Sequence, residues 1–121
     1  MNDKFIIAKN IKTFILNLDD MIINMPKKEN YMKDKLLETS LELLYDVYQT
    51  NHTINKEQKN IKQIDILSKI NILDFYIERL YIKKYISEKQ ALKKSNELLI
   101  INKMVYKWIN ESNIRTNKWN L

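Results

Sequence analysis

The sequence predicts an all-α fold: one domain over residues 1–121, an antiparallel up-down-up-down four-helix bundle. Three observations point there. The chain has no glycine and a single proline, Pro26, so left-handed turns and phosphate-cradling loops lose their usual residue. Apolar residues make up 45% of the chain and recur at steps of three and four, which puts them on one face of a helix. Between the periodic stretches lie short polar segments of the kind that join antiparallel helices.

The first helix is expected over about residues 3–24, with Ile7, Ile11, Phe14, Leu18 and Met21 inward, Asn2 or Asp3 as its cap and Pro26 as its stop. A second, over 31–49, carries Leu36, Leu37, Ser40, Leu41, Leu44, Val47 and Tyr48 on its apolar face. It fades into a loop at Thr50, Asn51, His52 and Thr53. The third and longest, over 56–84, has a seam at Ile66, Ile70, Leu73, Ile77 and Leu80. Ser87, followed three residues later by Gln90, has the form of a capping box and opens a fourth helix over 88–112. The expected seam there is Ala91, Ser95, Leu98, Asn102, Val105 and Ile109, with residues 113–121 as a frayed or extended tail.

Four successive apolar residues, Leu98, Leu99, Ile100 and Ile101, point nearly all round a helix axis, because each position advances about 100°. Phe14, Ile15 and Leu16 do the same, as do Met21, Ile22 and Ile23. One bundle cannot cover them all, so self-association is expected.

Composition narrows the function. The absence of cysteine excludes disulfides, thiolate zinc sites and thiol nucleophiles. No apolar run reaches membrane-spanning length, so no membrane role is expected. Met1, Asn2, Asp3 and Lys4 lack the layout of a secretory signal, and the expected location is cytoplasmic. His52 is the single histidine, in a loop with no second ligand type beside it. Asp74 and Glu78 stand four apart on the third helix but lack the Glu-x-x-His that carboxylate-metal bundles use. No catalytic residue, metal or cofactor is therefore expected, and the protein is read as a non-enzyme.

The net charge of +6 is uneven: 0 over residues 1–24, −1 over 25–54, +3 over 55–86 and +4 over 87–121. Such a field attracts polyanions. Candidate nucleic-acid contacts are Lys27 and Lys28 at the proline joint, Arg79 and Lys83 in line with Tyr76, and Lys93, Lys103 and Lys107 on the fourth helix, with Lys89 and Lys94 beside them. Tyr76, Tyr81 and Tyr85 are either stacking platforms or amphipathic residues at the core's edge.

The joint Met25, Pro26, Lys27, Lys28, the Leu36 to Tyr48 segment, the stretch from Leu73 to Ser87, and the closing Asn102, Lys103, Met104, Val105, Tyr106, Lys107, Trp108, Ile109 resemble the accessory variability determinant proteins of diversity-generating retroelements. More loosely, the chain is similar to four-helix proteins encoded in intervening sequences of large ribosomal RNA genes. The first resemblance implies a barrel-like homopentamer of four-helix bundles that binds RNA or complementary DNA. It also implies partnership with the retroelement reverse transcriptase in mutagenic retrohoming, without catalysis. Lys103 falls where that family commonly has Arg in Gly-Arg-Met-Leu, and Trp108 and Ile109 match its Trp-Ile. Asn102 and Tyr106 replace its two glycines, and Asp74 and Glu78 stand where basic residues are frequent. The alternative reading is a helical protein-interaction module, or an intervening-sequence type bundle, that does not bind nucleic acid.

Overall fold

The computed structural model describes residues 6–119, with side chains through residue 112. It contains four α-helices, α1 (Ile6–Ile22), α2 (Asn30–Asn51), α3 (Lys56–Ile82) and α4 (Glu88–Trp119), plus a single 3-10 turn at Lys27–Glu29. No strand occurs among the described residues. Successive helices pack on one another and α4 closes back on α1. Their directions alternate. Asp46 meets Lys69 while the later Gln49 meets the earlier Lys62, and Asp74 meets Ser95 while the earlier Lys59 meets the later Trp108. Asn2 and Asp3, the expected caps of α1, lie outside the described residues.

Pro26, with φ −64° and ψ 153°, precedes the 3-10 turn, and the Glu29 N–H donates to its carbonyl at 2.9 Å. The Asn55 side chain accepts from the Gln58 N–H at 3.0 Å and caps α3. The capping box of α4 is reciprocal: Ser87 N–H donates to Gln90 Oε1 at 2.9 Å, and Gln90 N–H donates to Ser87 Oγ at 3.1 Å. At the end of α3, Lys84 takes the left-handed φ of 65°. Tyr85 N–H then donates to Leu80 O and Lys84 N–H to Tyr81 O, the paired bonds of a Schellman turn. A lysine thus fills a place that glycine occupies at lower cost.

The core matches the expected seam on α3, where Ile66, Ile70, Leu73, Ile77 and Leu80 are all buried. Elsewhere the register differs. On α2 the buried line is Met32, Leu36, Ser40, Leu43, Val47 and Thr50, so Leu43 replaces Leu41, which is exposed. Helix α2 also runs through Thr50 and Asn51. Their expected loop signal is overridden because Thr50 Oγ1 donates to Asp46 O and the residue packs inward. On α4 the buried line is Lys94, Leu98, Ile101 and Val105, with Ala91, Ser95, Asn102 and Ile109 half-buried beside it. The α4 backbone stays helical through Trp119, correcting the tail expected after residue 112.

Gln63 sits in the buried line of α3, one turn before Ile66, and neither its side-chain oxygen nor its nitrogen finds a partner among the described residues. Ser40, also buried, donates instead to Leu36 O at 2.8 Å.

Candidate nucleic-acid interface

Lys27 and Lys28 project from the 3-10 turn, exposed, because Pro26 has already ended the helical run and no side chain of that turn is buried. Lys83 belongs to the same end of the bundle: its Nζ lies 3.4 Å from Glu29 Oε1, tying the connection between α1 and α2 to the one between α3 and α4. Arg79 is half-buried one turn before Lys83. Lys93 is exposed near the start of α4.

Lys103 and Lys107 are exposed too, but at 1.5 Å per residue they stand about 15 Å and 21 Å further along α4 than Lys93. The candidate cations therefore divide into a group at one end of the bundle and a pair on the flank towards the other. Lys27, Lys28, Lys93, Lys103 and Lys107 make no ion pair among the described residues, whereas Lys35, Lys69, Lys83 and Lys94 do.

Lys94 does not join the strip formed by its neighbours. Only 3% of it is exposed. Its Nζ donates to the Phe14 carbonyl at 3.0 Å and to Glu97 Oε2 at 3.1 Å, and it lies 4.6 Å from the centre of the Phe14 ring. Burial pushes the ammonium below its ordinary value of 10.5 and Lys93 adds to that, while the hydrogen bond and charge of Glu97 oppose it. Spacing held a signal, since 94, 98, 101 and 105 follow a four-three-four rhythm. Residue type masked it.

Among the aromatics, Tyr76 and Tyr85 pack against the core and Tyr81 is exposed. The half-buried Trp108 packs against the core and holds the Lys59 ammonium 5.7 Å from its ring. Its chemistry here is packing plus a cation on the ring face. Asp74, half-buried, accepts from Ser95 Oγ at 2.7 Å across α3 and α4, while Glu78 is exposed. Asp74 lines a groove that also holds Asn71, Leu92, Asn96, Leu99 and Asn102. His52 is exposed beyond the end of α2. Among the described residues no three His, Cys, Asp or Glu side chains gather as a metal site would require, and no helix is long and apolar enough to cross a membrane.

The long apolar runs divide as helical geometry demands. Leu98 and Ile101 are buried while Leu99 and Ile100 are exposed; Phe14 is buried and Leu16 exposed; Ile22 is buried and Ile23 exposed. No family model, curated protein or solved structure matches this chain.

Proposed function

We propose that this protein is a non-catalytic, nucleic-acid-binding accessory factor of a diversity-generating retroelement. In this reading it acts in the cytoplasm with the element's reverse transcriptase and with template RNA or complementary DNA in mutagenic retrohoming, and it assembles with copies of itself. The observation that carries the reading is that Lys27, Lys28, Lys93, Lys103 and Lys107 are exposed and make no ion pair among the described residues, with Lys84 and Lys89 equally exposed and unpaired beside them. The Pro-Lys joint and the later Lys-Met-x-x-x-Trp-Ile, in the order and spacing of the family it resembles, support the retroelement context.

A free lysine is a strongly hydrated point charge that neutralises phosphate without reading a base. Cations spread over about 20 Å suit an extended backbone better than a single phosphate group, since a duplex presents a charge about every 1.7 Å of its axis. Arg79 and Lys83 adjoin the cluster at the proline end. Lys83 is already paired with Glu29, so its contribution is smaller.

Filter binding of a structured RNA at rising salt tests the reading. Affinity should fall linearly on a log-log plot, and Lys107→Ala should flatten the slope by about one. Absent binding, or binding indifferent to salt, overturns it. The second reading, a protein-interaction module without nucleic acid, draws on Asp74, which lines the α3/α4 groove, and on the exposed Glu78 four residues further along α3. Capture of the reverse transcriptase by a protein that ignores RNA would favour that reading.

A further inference from the structure

The groove between α3 and α4 has a polar centre that the lysine contacts leave unused. Asp74 reaches it from α3, and Ser95 Oγ, donating to Asp74 Oδ1 at 2.7 Å, holds the carboxylate in place. Its Oδ2 has no hydrogen-bond partner, and Asp74 makes no ion pair, among the described residues. Asn71 on α3 and Asn96 on α4 line the same centre with amides that make no hydrogen bond there. Leu92 and Leu99, one turn to either side of Asn96, add apolar surface. The space is about 300 Å³, the lower end for a small-ligand site and enough for one planar ring system.

Around that centre the charge is positive. Lys89, Asn96 and Lys103 recur every seven residues and so share one line along α4, each lysine about 10 Å from Asn96 along the axis. Both lysines are exposed and unpaired among the described residues. Glu78 and Glu88 stand near Lys89, but Arg79, Lys83, Lys84 and Lys93 outnumber them there. Glu57 lies at the start of α3, past the level where Lys59 meets Trp108. A phosphate is drawn to the lysines and repelled by Asp74, while a cationic side chain meets the reverse. An unpaired nucleotide satisfies both, with its flanking phosphates on the lysines and its neutral base at the carboxylate.

We infer that the groove takes the base of an unpaired guanine in a single-stranded stretch of the nucleic acid, which rests on the binding function proposed above and adds base selectivity to it. Among the four bases guanine alone puts two adjacent donors, N1–H and the N2 amino group, on its pairing edge, and a carboxylate accepts both. The amides of Asn71 and Asn96 are the donors available to O6. Leu92 and Leu99 cover the ring.

The test is fluorescence anisotropy of the full chain with short labelled uridine RNAs that carry one central guanine, inosine, adenine or cytosine. The wild type is expected to favour guanine over adenine, and over inosine, which lacks the N2 amino group, by about ten-fold. Asp74→Asn keeps an acceptor for Ser95 and should bring the guanine-to-adenine ratio to about one while plain uridine RNA still binds in a salt-sensitive way. Asn96→Ala, which changes no charge, should weaken the guanine RNA about three-fold or more and leave the adenine RNA unchanged. Lys107→Ala should weaken all of them alike. Equal, salt-sensitive binding of every RNA overturns the inference and leaves the binding function standing; no binding of any RNA overturns both. A preference for adenine or cytosine, or a guanine preference that survives Asp74→Asn, overturns the inference, as does Asp74-dependent binding of an arginine-rich peptide without base preference. If Asp74→Asn loses its helical circular dichroism, Asn96→Ala and the inosine comparison decide.

Discussion

Where α4 meets α1 a lysine is buried, and where α4 flanks α3 on the outside two leucines and a tyrosine are left in the open. Both depart from the ordinary distribution of polarity, for different reasons. Lys94 is tolerated because its ammonium has a carbonyl, a carboxylate and a ring face around it, which offsets the cost of leaving water. Leu92, Leu99 and Tyr106 have no such internal compensation, and only another surface removes them from water. A buried polar group is explained by its neighbours; an exposed apolar line has to be explained by a partner.

The strongest way to break this comparison is Lys94→Glu. It places a second carboxylate beside Glu97 and the Phe14 carbonyl, and it should cost about 4 kcal/mol of folding stability, read by urea denaturation. Lys94→Met, which keeps the volume and removes the charge, should stay within about 1 kcal/mol of wild type. Because the folded ammonium holds its proton less tightly than the ordinary 10.5, the unfolded chain binds more protons between that depressed value and 10.5. Wild-type stability relative to Lys94→Met should therefore rise with pH across that window, and a fall would contradict the burial argument.

Next in size comes the contrast of two adjacent leucines. Leu98→Ala, at a buried site, should cost about 3 kcal/mol, and Leu99→Ala, measured at concentrations where the chain is a single copy, less than about 1 kcal/mol. Equal costs would place α4 in a different rotation.

Smaller effects, of the opposite sign, are expected inside α3 and just past its end. Gln63→Leu removes an amide whose polar atoms have no partner among the described residues and should stabilise by about 1–2 kcal/mol. Lys84→Gly relieves the left-handed backbone at φ 65° and should stabilise by about 0.5–1 kcal/mol. Thermal denaturation reads both, and a loss of stability in either would remove its local explanation.

Much of the fold is legible in the residues. The Ser87 and Gln90 pair announces the start of α4 through a bond pattern that only those side-chain types form, and the α3 seam is clear because five branched residues share it. The α2 and α4 seams are less clear, since both helices carry apolar residues on more than one side. Counting spacings then offers several stripes, and only packing selects Leu43 over Leu41. Lys94 escaped because lysine reads as surface, and Lys84 because nothing in its side chain signals a left-handed turn. For the candidate interface, the exposure of Lys27, Lys28, Lys93, Lys103 and Lys107 follows from their places off the core stripes. Their separation into two groups does not, because it depends on which helix ends lie together.

The most direct measurement sediments Leu99→Glu beside the wild type, with and without a labelled structured RNA. The account predicts a wild type of more than one copy and a folded one-copy variant that still binds the RNA in a salt-sensitive way, its outward lysines being intact. A one-copy wild type that leaves the RNA free would contradict it.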